Sequence, residues 1–511
     1  MRITPVIFYV PVLVLSAFFS MPKVEAAVTF TNTPAVTSNT YFGTIVLQIS
    51  GLTNKETVVV QKYLDANTNG ILDAGDSLWQ QFTLTDGSAS VFTNGLITVT
   101  NFNVPCDLDG TTNGSITAKL NQSADFAQRI VGKYLFVLTS PVGHFSPITN
   151  AFTITNFPFA QKFTGNVVSN GTSTTVSNAL VFIGAPDSSG NLNFFAGTTA
   201  NNAGAYSLQV APGHYMLVAV RNNYVASLNA VTNQFLISDA TITTNLNLIP
   251  ATRTISGKIV DAANNSIGIP GFLQPVGTSS GYFGAGVTDS NGNFTIKVTA
   301  DQWGLAHGNQ AMMLHGYLTM RNNPSANTTS GNVSGLTIAL NKATALYYGS
   351  VTDPSGNPLP GVWMFAEDNI DVNSFINAGE GVTDVNGNYV MAAIGGGNTW
   401  QLGVDNSLFF PAFSFSSGEQ PTIGTGQAVE FDVTATPTVP VITTSAFVGG
   451  GHFQVAASGL TDVNYTLEMS TNLSSTSWTS LLVTNLAGTT FHFTDTAATN
   501  MQRFYRVLIG P

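Results

Sequence analysis

Disulfides, charge and clustered histidines are all scarce in this sequence. The single cysteine, Cys106, excludes an intrachain disulfide, so packed cores and bound metal are left as the sources of stability. Only 8% of the 511 residues are charged, 27 acids against 16 bases, for a formal net charge of −11. With no basic run, binding of nucleic acid through phosphate neutralisation is excluded, and divalent cations are the natural charged partners. The six histidines, His144, His214, His307, His315, His452 and His492, are scattered. No His-Glu-x-x-His occurs and no pair lies three or four apart, so the zinc-hydrolase signatures are missing. After the first 26 residues no stretch reaches eighteen uninterrupted apolar residues, and the mature protein is expected to be water-soluble without a transmembrane anchor.

What is present points outward from the cell and to strands. Residues 1–26 carry Arg2, an apolar run from Val6 to Phe19 broken by Pro11, and Val24-Glu25-Ala26, the pattern of a cleaved secretory signal. The rest is rich in Gly (49), Thr, Ser, Asn and Val, which suits strands joined by Gly/Asn turns and predicts an all-β chain of tandem small antiparallel β-sandwiches.

The chain contains a repeat. Phe163-Thr-Gly165-Asn-Val, Ile255-Ser-Gly257-Lys-Ile and Tyr348-Gly349-Ser-Val place their glycines 92 residues apart each time. A second pattern closes each unit: Ala203-Gly204-Ala205-Tyr206, Asp289-Ser-Asn291-Gly292-Asn293-Phe294 and Asp384-Val-Asn386-Gly387-Asn388-Tyr389. Asp opens such a turn by bonding its own backbone, Gly supplies positive φ, and the aromatic resumes the next strand, so these are hairpins. The organisation expected is a signal peptide over 1–26, an N-terminal sandwich over 27–158, repeats over 159–250, 251–343 and 344–436, and a C-terminal module over 437–511.

Gly349-Ser-Val-Thr-Asp-Pro-Ser-Gly-Asn-Pro-Leu-Pro-Gly-Val with Gly381-Val-Thr-Asp-Val-Asn-Gly-Asn-Tyr is similar to the carboxypeptidase regulatory-like domain. The middle repeat keeps the second motif, and the first has Asn201-Asn-Ala-Gly204-Ala-Tyr in place of its acidic turn. That resemblance implies a transthyretin-like, non-catalytic accessory sandwich of secreted bacterial proteins, and fixes fold better than function. In the last segment Ser470-Thr471-Asn472-Leu473, Trp478 and Phe504-Tyr505-Arg506 resemble a C-terminal β-sandwich module of secreted Gram-negative proteins. Its Tyr465, Leu467, Trp478, Phe491 and Phe493 sit at strand spacing and are expected to fill a core.

One loop carries ligand spacing. In Asp65-Ala-Asn67-Thr-Asn69-Gly70-Ile71-Leu-Asp73-Ala-Gly-Asp76, the residues Asp65, Asn67, Asn69, Ile71 (through its carbonyl), Asp73 and Asp76 stand where an EF-hand loop places its oxygens, with Gly70 at the sharp turn. It departs from that pattern in ending on Asp rather than Glu, and in following a predicted strand, Thr57 to Leu64, rather than a helix. The reading is a structural Ca2+ staple, set against a plain polar turn. A dissociation constant of about 0.1 mM with about 1 mM free calcium gives roughly 1.4 kcal/mol of support. Asp107-Leu-Asp109-Gly110 lacks the full spacing and is read as a turn.

Catalytic patterns do not hold up. Gly277-Thr278-Ser279-Ser280-Gly281 matches a nucleophile elbow, but that elbow needs a strand-to-helix turn, and in a sandwich repeat it is a loop. Glu367-Asp368-Asn369-Ile370-Asp371 reads as a solvated loop, since paired acids need a cleft to hydrolyse glycosides. Trp363 and Trp400, with Trp303, Phe409, Phe410, Phe413 and Phe415, offer either a sugar-stacking platform or core packing. The function expected is therefore a secreted, calcium-stabilised, non-enzymatic structural, adhesive or surface-scaffold protein. The alternative is recognition of extracellular glycans through Trp363 and Trp400, and a third reading is an accessory part of a secreted hydrolase working through 27–158.

Overall fold

The computed structural model describes residues 27–509, apart from 124–125, 173, 187–191, 212, 228–231, 237–238, 308–311, 321–323, 370–376, 397–398, 405–409, 411–412, 421, 438–439, 460–463, 474–477, 486–489 and 499–501. The signal segment, Asp371 and Phe409 therefore lie outside the described residues, as do the side chains of His214 and His307. The chain is all-β, as its Gly/Asn/Thr/Val usage dictates: helical structure among the described residues is confined to the 3-10 turn Phe126–Arg129 and a turn at 312–313. No helix there is long and apolar enough to cross a membrane.

The N-terminal part pairs a three-stranded sheet (Thr29–Thr33, Thr44–Ser50, Ser115–Asn121) with a five-stranded one that includes Thr57–Leu64, Ser77–Thr85, Gly132–Thr139 and Ile148–Thr155. Alternating side chains of both sheets, among them Ile45, Leu47, Val58, Val60, Phe136 and Phe152, close one buried core. Fully buried Lys62 lies inside it, its Nζ 4.4 Å from the Tyr134 ring centre and donating to Gln128 Oε1 at 3.1 Å.

The three glycine-anchored segments share one topology. In each, a central strand (Lys162–Ser169, Arg253–Asp261, Ala345–Thr352) pairs antiparallel with the strand after the second hairpin and parallel with the last strands of the unit. The register repeats as well: Gly165 faces Tyr206, Gly257 faces Phe294 and Gly349 faces Tyr389. A second sheet covers each unit, so each owns a core, around Val181 and Phe182, around Trp303, and around Tyr347 and Trp400. The sheets do not stop at unit boundaries: Tyr224–Ser227 pairs with Tyr282–Phe283, and Thr319–Met320 adds to the edge of Asn377–Val382. The C-terminal part, two three-stranded sheets over Val441–Ile509, builds its core from its own Val455, Ala457, Tyr465, Leu467 and Phe491.

Candidate functional site

The Asp-x-x-Gly-type turns of the repeats adopt one geometry. Asp289 Oδ1 accepts the N–H groups of Asn291 and Asn293 at 2.8 and 2.9 Å; Asp384 does the same for Asn386 and Asn388, and Asp353 for Ser355 and Asn357. Asn201, where the first repeat lacks an acid, accepts Ala203 and Ala205 at 2.9 and 3.0 Å. The turn needs an acceptor oxygen and not a charge, so the neutral replacement leaves the fold unchanged. These acids are therefore spent on backbone, and the Asp289 and Asp353 carboxyls sit below the ordinary range; burial works against this at Asp289, while at Asp353 the Asn357 amide leads the lowering.

The ligand-spaced loop joins the hairpin strands Thr57–Leu64 and Ser77–Thr85, so a strand does precede it. Asp65, 3% exposed, accepts the N–H of Asn69 at 3.1 Å on one oxygen and that of Gly70 at 2.9 Å on the other. Asp76 accepts Ala66 N–H at 3.0 Å and Asp73 N–H at 3.0 Å. Asn67 and Asn69 both donate to the same oxygen of Asp73, at 2.5 and 3.1 Å, while Gly75 N–H binds its other oxygen at 2.8 Å. The Gly75 amide and then the Asn67 amide hold the Asp73 carboxyl below its usual range. Gly70 has φ of +76°, as the sharp turn requires. The amide oxygens are engaged in the same way, Asn67 Oδ1 accepting Asn69 N–H at 3.0 Å and Asn69 Oδ1 accepting Ile71 N–H at 2.8 Å, so the loop's donor set of carboxylates and amide oxygens is held by the loop's own N–H groups. Ile71 turns its side chain outward at 66% exposure, so only its carbonyl can join that set. Among the described residues no three His, Cys, Asp or Glu side chains converge as a metal-binding group, so any ion here depends on the amide and carbonyl oxygens as well.

The aromatics divide. Trp400 is fully buried, 6.2 Å from the Tyr347 ring in the core of the third repeat, and has no face open to a sugar. The expectation for Trp400 is corrected: in Thr399–Val404 it alternates with inward-facing Leu402, a period-two signal already visible in Trp-Gln-Leu. Trp303 is also core, its Nε1 bonded to Thr299 O and Thr328 Oγ1, both at 3.1 Å. Trp363 is different. It is half-buried, donates Nε1 to Glu380 at 3.0 Å, and lines a cavity of about 340 Å³ with Phe42, Phe159, Phe194, Tyr215 and Phe410. Phe42 comes from the N-terminal part, Phe194 and Tyr215 from the first repeat, Trp363 and Phe410 from the third, so no single segment encodes this cleft. The Phe42 ring also carries Arg129, 4.4 Å from its centre, and packs against Gly361, where a side chain would meet it at 2.8 Å.

The remaining candidates are structural. Ser280 and the Ser279 amide cap Asp301, with no helix following. The solvated-loop expectation is corrected for Glu367, Asp368 and Asn369, which end the strand Trp363–Asn369; Asp368 is buried there and accepts Asn377 N–H at 2.8 Å and its side-chain amide at 2.7 Å. Asp107, fully buried and near Asp86 and Asp109, binds Gly87 N–H at 2.8 Å; burial raises its carboxyl above the usual range. Asp86 is lowered, because the amides of Lys55, Asn113 and Gly114 outweigh its burial.

What sequence reasoning missed is the way the N-terminal part grips all three repeats. Asn103, 3% exposed, donates to Val390 O at 3.0 Å in the third repeat and accepts from Asn121 at 3.1 Å in its own sandwich. Val385 N–H binds Phe42 O at 2.9 Å, Ser123 Oγ binds Val382 O at 3.1 Å and Thr93 N–H binds Gly426 O at 3.0 Å. Toward the first repeat, Val131 N–H reaches Gly197 O at 2.9 Å and Asn39 reaches Gln209 O at 3.1 Å. From the second repeat, Leu314 enters the N-terminal core.

No known protein family matches the chain, and no curated protein matches it. Among solved structures, the Bacillus anthracis TIE protein aligns at 10% identity over 80% of this chain and 75% of its own, with a TM-score of 0.18. A streptococcal ancillary pilin aligns at 12% identity over 57% and 92%, TM-score 0.17. BcpA, the major pilin subunit of Bacillus cereus, aligns at 9% identity over 54% and 99%, TM-score 0.15. Scores of this size assign nothing to this chain.

Proposed function

We propose that this chain is a secreted, non-catalytic body of β-sandwiches with a structural, adhesive or surface-scaffold role, its repeats being of the carboxypeptidase regulatory-like kind and its 65–76 loop holding Ca2+. The observation that carries the reading is the closure of the N-terminal part onto all three repeats through buried bonds such as Asn103 to Val390. Such closure makes one stiff object of four cores rather than a flexible string. The acids singled out by sequence support the same reading, because those in the turns and cores hold backbone amides and side-chain amides.

Calcium would be held by Asp65, Asn67, Asn69, Asp73, Asp76 and the Ile71 carbonyl, neutralising three carboxylates that the loop gathers. A second reading, glycan recognition, keeps Trp363 and loses Trp400: the cleft of about 340 Å³ presents aromatic faces from several parts of the chain.

The deciding experiment takes the chain from Ala27 onward, with calcium titrated by calorimetry, and screens it against polysaccharides and hydrolase substrates. Saturable calcium uptake lost in Asp65→Asn, with no turnover, supports the scaffold reading. Turnover abolished by replacing one acid of 27–158 would sink it, and saturable glycan binding lost in Trp363→Ala would promote the second.

A further inference from the structure

A cavity of about 550 Å³ opens between the N-terminal part, which contributes Gln81, Ser90 and Asn101 to its lining, and the second repeat, which contributes His315 and Lys342. The groups left over there are donors. Asn101 is 3% exposed; its Oδ1 accepts the Asn103 N–H at 3.2 Å, which fixes Nδ2 as the other end of the amide, and Nδ2 has no partner among the described residues. Gln81, 7% exposed, repeats this, its Oε1 accepting from Gln61 Nε2 at 2.7 Å and its own Nε2 left without a partner. A buried amide donor is normally paired. Neither nitrogen is sealed from solvent, so both remain open to an occupant. Lys342 adds an ammonium, and among the described residues no Asp or Glu lines the cavity, in a chain whose net charge is −11. Asp261, within electrostatic reach of Lys342, is already taken: it accepts the Tyr317 hydroxyl and the Ala263 N–H, each at 2.7 Å.

We propose that this cavity binds a carboxylate-bearing saccharide, its oxygens met by the Asn101 and Gln81 amides and its charge by Lys342. Leftover donors call for an occupant rich in acceptors, and an ammonium in a lining free of acids calls for a negative one. The volume is that of a pocket for a small organic ligand, and an inorganic anion would leave most of it unfilled. Hydroxyls of Thr83, Ser88 and Ser90 share the lining, groups that both donate and accept and so suit the hydroxyls of a sugar, while Ile269 and Pro270 offer its ring an apolar side. The site shares no lining residue with the aromatic cleft around Trp363, and the inference rests neither on that cleft nor on calcium in the 65–76 loop.

The test is titration calorimetry of the chain from Ala27 onward with digalacturonate and with its uncharged counterpart, digalactose. The expected result is saturable binding of the acidic sugar, at least about tenfold tighter than that of the neutral one. Asn101→Asp keeps an oxygen for the Asn103 N–H but sets a carboxylate where the donor stood, and should weaken binding at least about a hundredfold. Lys342→Gln, at an exposed position, should weaken it at least about tenfold and leave the near-ultraviolet spectrum unchanged. If Asn101→Asp fails to fold, Lys342→Gln decides alone. No heat of binding at about 10 mM digalacturonate overturns the proposal, and so does equal affinity for the two sugars. Binding that ignores Lys342→Gln overturns it as well, and its loss in Trp363→Ala instead would put the sugar in the aromatic cleft.

Discussion

Gly349 stands directly opposite Tyr389 across an antiparallel pair, and the Tyr389 hydroxyl reaches over to donate to the carbonyl of Phe431 on the parallel neighbour. A Cβ on Gly349 would lie 2.2 Å from that same carbonyl oxygen. Glycine is thus fixed by close approach, and the tyrosine ties the strand that approaches. The first repeat does the same with Gly165, Tyr206 and Thr244 O, the phenol bond being 2.7 Å. The second sets Phe294 over Gly257 with Leu336 O beside it.

Gly349→Ala is therefore expected to destabilise the third repeat by about 2–4 kcal/mol, because backbone rather than a movable side chain blocks the methyl. Tyr389→Phe should cost about 1–2 kcal/mol, the bond to a buried carbonyl. Gly356→Ala, where the space is open, should cost about 1 kcal/mol through its φ of +81° alone. Thermal unfolding of the three variants orders them, and a Gly349→Ala protein no less stable than Gly356→Ala would refute the close-approach account.

The repeat was legible because its determinants are local: an acceptor, a glycine three residues on, and an aromatic at the next strand all lie within a few positions. That Asn201 could replace Asp was less legible, since composition counts charge while the turn uses only an oxygen. The closure of the chain left no periodic trace at all. Asn103 and Val390 are 287 positions apart, and the asparagine reads in sequence as one more polar loop residue. The aromatic cleft is hidden for the same reason, its walls being drawn from distant segments whose rings each resemble core.

Trp400 and Trp363 lie on paired strands of one sheet, yet only the first belongs to the core. Trp400→Ala should cost about 3–5 kcal/mol and unfold the third repeat first, as expected for a large cavity beside Tyr347. Trp363→Ala should cost less, about 1–2 kcal/mol, because its ring is half in solvent and it chiefly surrenders the bond to Glu380. Chemical denaturation separates them. Equal losses would mean that the cleft around Trp363 is closed and unfit for any ligand.

Glu56 binds four donors: Thr53 N–H and hydroxyl at 2.9 Å each, Ser140 Oγ at 3.0 Å and His144 Nδ1 at 2.7 Å. Burial pushes this carboxyl up, but those bonds outweigh it and hold it below the ordinary 4.5. The folded state therefore binds fewer protons than the unfolded one in that range. The stability Glu56 supplies is present above about pH 4.5 and is lost as the pH falls through its depressed folded value. Glu56→Gln should cost about 1–3 kcal/mol at pH 7 and progressively less as the solution is acidified toward pH 3. A deficit that stays constant over that range would show that the charge on Glu56 contributes nothing.

Asn103 tests whether the N-terminal part and the third repeat form one body. Its replacement by Ala strips the partner from the Val390 carbonyl and from the Asn121 amide, both in a buried contact where water does not readily substitute. Each orphaned group costs about 1–3 kcal/mol, and the cost falls on the interface rather than on either core. The expected outcome is an unfolding curve that splits into two transitions, with faster amide exchange around Leu346 and Val390, which pack there against Phe92 and Phe102. Exchange at Val351 and Val362, inside the third repeat's own core, should be unchanged. If the variant instead unfolds in a single transition with uniform loss, the two parts are coupled through the whole interface, and the asparagine is only one contact among many.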